Sequence, residues 1–227
     1  MSEKENILAR VREALRVPAP WPGHSPAPSN RTGGPPSDNA RQWLPSVRPS
    51  FDDQVALFRK NAGDLKAEFF LLEGVDELPA KLAQLRETEG WKKIGTHDGE
   101  LTTAACCALD LPTCRTDHPY DAKDLETCDA GITECDALIA QTGSVLLTSR
   151  SAGGRALSVL PPHHVVLARR EQLISDLPEA FALLKRKYQS NYPSFMTLIT
   201  GPSRTGDIER ILVLGAHGPK KLTIFCV

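Results

Sequence analysis

The stretch LITGPSRTGDIERILVLGAHGPKKLTIFCV (residues 198–227) carries the strongest structural signal in the chain. Three apolar, strand-like runs alternate here with two loops rich in Gly, Pro and polar residues; the runs are residues 195–199, 211–214 and 222–227. Loops of this kind at strand ends are where α/β proteins place backbone N–H groups and polar side chains around a ligand. The stretch therefore predicts an α/β fold with a site for a small or anionic molecule.

The composition excludes several classes of partner. The 227 residues carry a net charge of -1, with 24% charged residues, which gives no electrostatic reason to expect a nucleic acid or an anionic membrane as partner. The apolar runs are far shorter than the roughly 20 residues that span a bilayer. The amino-terminal residues alternate charged and apolar types, unlike a secretory signal. We therefore expect a cytoplasmic protein with no membrane span.

The six cysteines show no metal-binding spacing. They stand at positions 106, 107, 114, 128, 135 and 226, and no two of them form a C-x-x-C pair. A disulfide framework is unusual in a cytosolic chain with an ordinary core. The sequence predicts reduced, structural cysteines, no metal site and no cofactor held by this chain.

Residues 1–17 read as an amphipathic helix. Ser2 and Glu5 fit a capping box, and the apolar residues that follow fall on one face. This face has two open interpretations: it packs on the protein's own core, or it docks on a partner or a second copy of the chain.

Residues 18–50 differ in composition from the rest. They hold half of the 18 prolines and few aliphatic residues, a composition that cannot offset its ordering entropy by apolar burial. We expect an extended or disordered linker there, followed by a compact domain over residues 51–227.

Strand-like and helix-like segments alternate from residue 51 onward. Three predicted helices cover residues 51–67, 101–109 and 171–188, the last with Asp176 as its cap. A further predicted helix is capped by Asp76 and has Pro79 in its first turn. Predicted strands cover 68–72, 93–95, 112–115, 130–133, 137–140, 145–148 and 163–168. The closely spaced strands of the middle suggest antiparallel hairpins added to the sheet. The predicted architecture is a three-layer α/β/α fold with a mixed, mostly parallel sheet.

The loop after residue 200 is the first candidate site. Ser203 or Thr205 could cap a helix beginning near Arg204, with Asp207 in its first turn. The same geometry binds anions, and the Arg204 guanidinium would add a bidentate donor. Capping and ligand binding both remain open.

The turn between two middle strands is the second candidate site. Gln141, Thr142 and Ser144 could hydrogen-bond a substrate, or they could simply form a hairpin turn. Nearby Glu134 and Asp136 are the best carboxylates for acid, base or nucleophile chemistry.

Histidines provide the remaining candidates. His163 and His164 begin a predicted strand and must point to opposite faces, so they do not form one metal site, but one of them can face a ligand beside Arg155. His217 lies in a Gly-Pro loop and could titrate near neutrality. His163 and His217 join Glu134 as candidate catalytic residues, and structural roles remain open for each. The motifs of serine hydrolases, P-loop ATPases and dinucleotide enzymes are missing from the sequence.

Four segments in order resemble the LutC/YkgG family, whose shared module is the LUD (lactate utilisation) domain. They are GITECDALIAQTGSVLLTS (131–149), ALSVLPPHHVVLARR (156–170), ITGPSRTGDIE (199–209) and LVLGAHGPKKLTIFCV (212–227). The chain departs from the family pattern most clearly at Gln141, where the family has an acid.

The resemblance implies a fold like NagB/RpiA/CoA-transferases. It also implies one subunit of a multi-protein system that oxidises L-lactate to pyruvate, with iron–sulfur clusters on partner subunits. Two alternatives stay open: a stand-alone enzyme on a phosphorylated sugar, CoA ester or folate, and a non-catalytic scaffold or regulatory subunit.

Overall fold

The computed structural model describes residues 47–205, 213–214 and 218–227, together with the single helical residues Glu5 and Glu13. The α-helices among residues 47–227 are α1 (Phe51–Asp64), α2 (Leu78–Glu89), α3 (Glu100–Leu109), α4 (Ala122–Glu126) and α5 (Leu177–Tyr188). The strands are β1 (Glu68–Leu71), β2 (Ile94–Thr96), β3 (Thr113–Arg115), β4 (Ala130–Glu134), β5 (Ala137–Ile139), β6 (Ser144–Thr148), β7 (His163–Ala168), β8 (Leu173–Ile174), β9 (Met196–Ile199), β10 (Arg204–Thr205), β11 (Val213–Leu214) and β12 (Lys221–Cys226). Apart from Glu5, Glu13 and residues 47–50, the predicted amino-terminal helix and linker lie outside the described residues.

A parallel sheet forms the centre of the domain. Its strand order is β1-β12-β7-β4-β2-β3, and every neighbouring pair is parallel. The last strand, β12, lies between β1 and β7, where five of its six residues are buried. The predicted α/β class with a mostly parallel sheet is confirmed.

Helices α2 and α3 cover one face of this sheet. Alternate residues of the central strands, such as Ile132, Val165 and Phe225, point to this face because successive side chains of a strand alternate in direction. They pack against the apolar stripes of the two helices, including Leu82 and Leu101.

Helix α1 and a second sheet cover the other face. Val55, Phe58 and Ala62 of α1 are buried, as their spacing predicts. The second sheet has the order β8-β5-β6-β9 and contains the hairpin β5–β6. The prediction that this hairpin extends the central sheet is therefore wrong.

The hairpin forms its own layer because both of its faces are apolar. Leu138 and Val145 pack toward the central sheet, whereas Ile139 and Leu146 pack against α5 on the outside. A strand pair that buries both faces fits between two layers rather than at the edge of one.

Two predicted helix starts differ in the structure. Asp76 lies within a short 3₁₀ turn, Val75–Glu77, and α2 starts after it without a side-chain cap. Helix α5 starts at Leu177 instead of residue 171, because Leu173 and Ile174 pair with β5 as strand β8. The predicted cap of α5 is confirmed, since the Asp176 carboxylate accepts a hydrogen bond from the Glu179 N–H.

None of the helices in the described part of the chain has the length and apolar character needed to cross a membrane.

Candidate functional site

A cavity of about 260 Å³ lies between the amino-terminal ends of β7 and β12 and the inner face of β9. The polar residues that line it are Arg155, Ser158, His164, Thr197, Thr200 and Ser203. Its apolar wall includes Val159, Phe195, Ile199 and Leu222. This volume lies below the roughly 300–1,000 Å³ of pockets that hold drug-sized ligands, so the cavity suits a smaller molecule.

Two loops of the carboxyl-terminal stretch meet at this cavity. Gly201 has φ +84°, and a Cβ there would lie 2.6 Å from the Leu65 carbonyl oxygen, so the turn after β9 requires glycine. The Ser203 N–H then donates to the Pro219 carbonyl at 2.9 Å. This bond joins the two loops of the stretch at one place.

Arg155 gives the cavity a positive charge. Its side chain stacks over the Phe195 ring at 5.7 Å, and no carboxylate of the described residues lies within ion-pair distance of it. An arginine on an aromatic face without a carboxylate partner presents its N–H groups to an incoming carboxylate or phosphate.

His164 forms part of the wall as an uncharged side chain. It is 1% exposed, and its Nε2 atom lies 2.9 Å from the Thr133 hydroxyl. Burial, reinforced by the charge of His163, lowers the pKa of His164 to about 3, so the imidazole is neutral at physiological pH. Among the described lining residues, Arg155 is thus the charged group, and its positive charge favours an anionic ligand.

The predicted helix start at Arg204 is wrong. Arg204 and Thr205 form strand β10, which pairs antiparallel with Val213 and Leu214. Arg204 and Thr205 are therefore extended and do not form the first turn of a helix, and Arg204 is exposed and does not line the cavity. Of the two predicted ligand residues in this loop whose side chains are described, Ser203 lines the cavity and Arg204 does not.

Asp207 and His217 lie outside the described residues, and the Thr205 side chain is likewise not described.

The residues of the predicted turn site pack against the end of α1. The Asn61 amide donates to the carbonyls of Ala140 and Gln141, both at 2.9 Å. The Ser144 hydroxyl lies 2.8 Å from the hydroxyl of Thr200, which lines the cavity. Gln141, Thr142 and Ser144 do not themselves line it, so the structure places this turn behind the cavity wall.

Gly143 makes this turn sensitive to a single methyl group. Its φ is +63°, and a Cβ would lie 2.5 Å from the Ala62 nitrogen. We expect Gly143→Ala to lower the free energy of unfolding by about 2 kcal/mol, since the left-handed backbone and the contact with α1 both oppose it. Gly90→Ala is the matched control, because Gly90 has a similar φ of +70° but no atom within 4 Å of the added Cβ. Urea unfolding that gives equal losses for the two variants would contradict the contact with α1.

Glu134 lies at the other end of the parallel sheet. Its carboxylate accepts hydrogen bonds from the backbone N–H groups of Leu101 and Thr102, at 2.9 and 3.4 Å, at the start of α3. It pairs in register with Leu167, whereas His164 pairs with Gly131 at the opposite end of the same two strands. The structure therefore gives Glu134 a helix-capping contact and does not bring it to the cavity.

Asp136 and His163 also have contacts away from the cavity. Asp136 binds Lys187 and Tyr188. His163 faces the opposite side of β7 from His164, as predicted, with its Nε2 atom 2.9 Å from the Thr223 hydroxyl and its ring edge-on to Trp91. Burial lowers the pKa of His163 to about 4.

Sequence reasoning missed Ser158 and Thr200 as lining residues. Ser158 belongs to a short 3₁₀ turn after a Gly-Gly pair, and nothing in its neighbours distinguishes it from an ordinary loop serine. Thr200 directly follows a strand, and its place in the Thr-Gly-Pro sequence was the available signal.

Among the described residues, no group of three or more His, Cys, Asp or Glu side chains is arranged to hold a metal ion.

The part of the chain that contains the cavity is similar to a known protein family. Residues 115–227 match the LUD domain. The chain belongs to the LUD domain family. Every described residue that lines the cavity lies within the LUD match.

Relatives of this LUD-domain chain include two proteins named lactate utilization protein C. The protein from Deinococcus radiodurans is 32% identical over 120 residues, which cover 52% of this chain and 56% of the relative. The protein from Bacillus velezensis is 26% identical over 189 residues and 78% of each chain.

A crystal structure of a DUF162 family protein from Deinococcus radiodurans shares the fold. It superposes with a TM-score of 0.63 at 22% identity, covering 79% of this chain and 99% of that one.

Proposed function

We propose that this LUD-domain chain is one subunit of a multi-protein system that oxidises L-lactate to pyruvate in the cytoplasm, and that its cavity binds a small anionic ligand. The names of its relatives support the role in lactate utilisation. Iron–sulfur subunits are the proposed partners, and the redox clusters belong to them.

The observation that carries the ligand proposal is the exposed guanidinium of Arg155, which lines a small cavity and has no carboxylate partner among the described residues. The Ser158 and Ser203 hydroxyls add neutral hydrogen-bonding groups around it. The cavity of about 260 Å³ is too small to enclose a CoA ester, which favours a ligand with a few heavy atoms.

Arg155→Gln tests the ligand site. We expect the affinity for the small anion to fall at least about tenfold, because hydrogen bonds to a charged group contribute about 1.5–3 kcal/mol. Calorimetric titration with L-lactate, pyruvate and inorganic phosphate measures this.

Arg150→Gln is the matched control. Arg150 also stacks on an aromatic ring, that of Tyr188 at 5.4 Å, but it does not line the cavity. Equal losses in both variants, or binding of none of the three anions by the unaltered chain, would count against the cavity as their site.

Deletion of the gene tests the role itself. In a host without a second copy, we expect growth on L-lactate to be lost and growth on glucose to be unchanged. Complementation with the unaltered gene restores growth, whereas the Arg155→Gln gene restores it poorly if the cavity acts in the pathway. Normal growth of the deletion strain on L-lactate would refute the proposed role.

A further inference from the structure

An apolar groove of about 650 Å³ lies on the outer side of the second sheet, between α5 and β9. The large side chains around it are unusually exposed: Phe181 by 62%, Tyr192 by 47%, Met196 by 45% and Leu198 by 39%. Isolated apolar residues are common on protein surfaces, but neighbouring exposed apolar side chains around a groove are typical of an interaction surface.

The groove is bordered by an unpaired strand edge. Strand β9 is the last strand of the second sheet, and among the described residues no strand pairs with its other side. The Ser149 N–H donates to the Phe195 carbonyl at 2.9 Å. The backbone N–H and C=O groups of residues 195, 197 and 199 therefore point toward β6. In an antiparallel ladder the peptide groups of the intervening residues, Met196 and Leu198, therefore point away from the sheet.

Nothing in β9 blocks pairing with another strand. Natural edge strands are usually protected by charged residues, proline or bulges. Residues 196–199 read Met-Thr-Leu-Ile and contain none of these. The side chains of Met196 and Leu198 face the groove, so the same two residues offer free backbone groups and apolar surface.

We propose that a second copy of this chain covers the groove, by antiparallel pairing of the two β9 strands about a two-fold axis at Thr197. In that register Met196 of one copy lies opposite Leu198 of the other. The outward peptide groups of each residue pair can then exchange hydrogen bonds. The contact is isologous, since the same surface serves on both copies.

Charge complementarity along α5 favours a second copy over another occupant. The helix begins with Asp176 and Glu179, and its basic end presents Lys185 and Arg186, since the amine of Lys187 binds Asp136. A two-fold axis at β9 makes the two α5 helices antiparallel on the same side of the joined sheet. The acidic end of each helix then faces the basic end of the other, and Phe181 near the middle of each lies toward the axis.

The proposed pairing leaves the small-ligand cavity on the opposite face of the joined sheet. Ile199 lines that cavity, Met196 and Leu198 line the groove, and Thr197 borders both. The dimer is thus independent of the proposed function, and either can fail without the other.

The mass of the full chain in solution tests the dimer. By sedimentation and light scattering we expect twice the mass of one chain for the unaltered protein at micromolar concentration. The double variant Phe181→Glu with Met196→Lys should dimerise at least tenfold more weakly. Val75→Lys, at an equally exposed apolar residue on the far side of the domain, should leave the dimer intact.

Hydrogen exchange tests the strand pairing. We expect slow exchange of the Met196 and Leu198 amides in the unaltered chain and fast exchange in the double variant. Circular dichroism checks folding, and Leu198→Lys provides a second variant with a single change. A monomeric unaltered chain, a variant that still dimerises, or a dimer with unprotected Met196 and Leu198 amides would each overturn the proposal and assign the groove to a different occupant.

Discussion

Lys187→Met is expected to lower the free energy of unfolding by about 3 kcal/mol at pH 7, because it leaves a buried carboxylate without its cation. Lys187 Nζ lies 2.6 Å from the Asp136 carboxylate, whose side chain has no solvent exposure. The Tyr188 hydroxyl donates to the same oxygen at 2.7 Å.

The charge state of Asp136 explains why its partner matters. Burial disfavours the charged carboxylate, but hydrogen bonds from Lys187, Ser151 and Tyr188 outweigh burial and lower the pKa of Asp136. Without Lys187 the desolvation cost of the carboxylate is no longer compensated. The contact also fixes the end of α5 to the start of β5, two elements that are 51 residues apart in the chain.

Urea unfolding of matched variants measures this effect. Adding Asp136→Asn to Lys187→Met should recover part of the loss, because it removes the uncompensated charge and keeps an acceptor for Tyr188. Lys81→Met, at an exposed lysine of α2 without an ion pair among the described residues, should change stability by less than about 0.5 kcal/mol. A Lys187→Met variant as stable as this control would show that the ion pair contributes little.

Acidification from pH 7 to pH 5 is expected to lower the free energy of unfolding by about 4 kcal/mol, about 2 kcal/mol for each of two buried histidines. Burial lowers the pKa of His163 to about 4 and that of His164 to about 3. In the unfolded chain a histidine titrates near 6.5.

The direction of the change in stability follows from the number of protons that each state binds. Between these pKa values the unfolded chain binds more protons than the folded chain, so stability falls as pH falls. The contribution of each histidine is complete above its unfolded pKa. It is lost progressively between about pH 6.5 and the folded pKa.

Unfolding curves at pH 7, 6 and 5 measure the loss. His164→Gln should reduce the pH 7 to pH 5 difference by about half, whatever its effect on stability at pH 7, because one titrating group is removed. An unchanged free energy of unfolding between pH 7 and pH 5 would contradict neutral, buried histidines at these positions.

Local patterns were sufficient to predict many of the elements. The apolar spacing of Val55, Phe58 and Ala62 indicates a helix face, and all three are buried. The continuous apolar run of β7 indicates a strand buried on both sides, and all six of its residues are buried. In such segments the spacing of apolar residues fits one type of element, and the structure contains that element.

The errors arose where short segments have no intrinsic preference strong enough to decide. Arg204 and Thr205 are compatible with a helix start, but pairing with Val213 and Leu214 makes them a strand. Leu173 and Ile174 could begin a helix, but pairing with β5 makes them extended. Strand pairing is a long-range contact, so its effect is not encoded in neighbouring residues.

The candidate site was likewise predictable only in part from the sequence. The sequence indicated that the loops after residues 199 and 214 carry ligand-binding groups, and Ser203 lines the cavity with Gly218 and Pro219. It could not exclude Glu134, because a carboxylate at a strand end reads equally as a catalytic group or as a cap for a distant helix. Only the position of α3 beside β4 shows that this carboxylate caps a helix.

The sequence by itself determined the α/β class, the order of most elements and the resemblance of residues 131–227 to the LUD domain, because periodicity and motif order are properties of the chain. The tertiary structure alone decided that Arg155 and Ser203 share one cavity, that the middle hairpin forms a separate sheet, and that Asp136 is paired with Lys187. Each of these depends on contacts between distant residues, whose energies arise only when packing removes the groups from water.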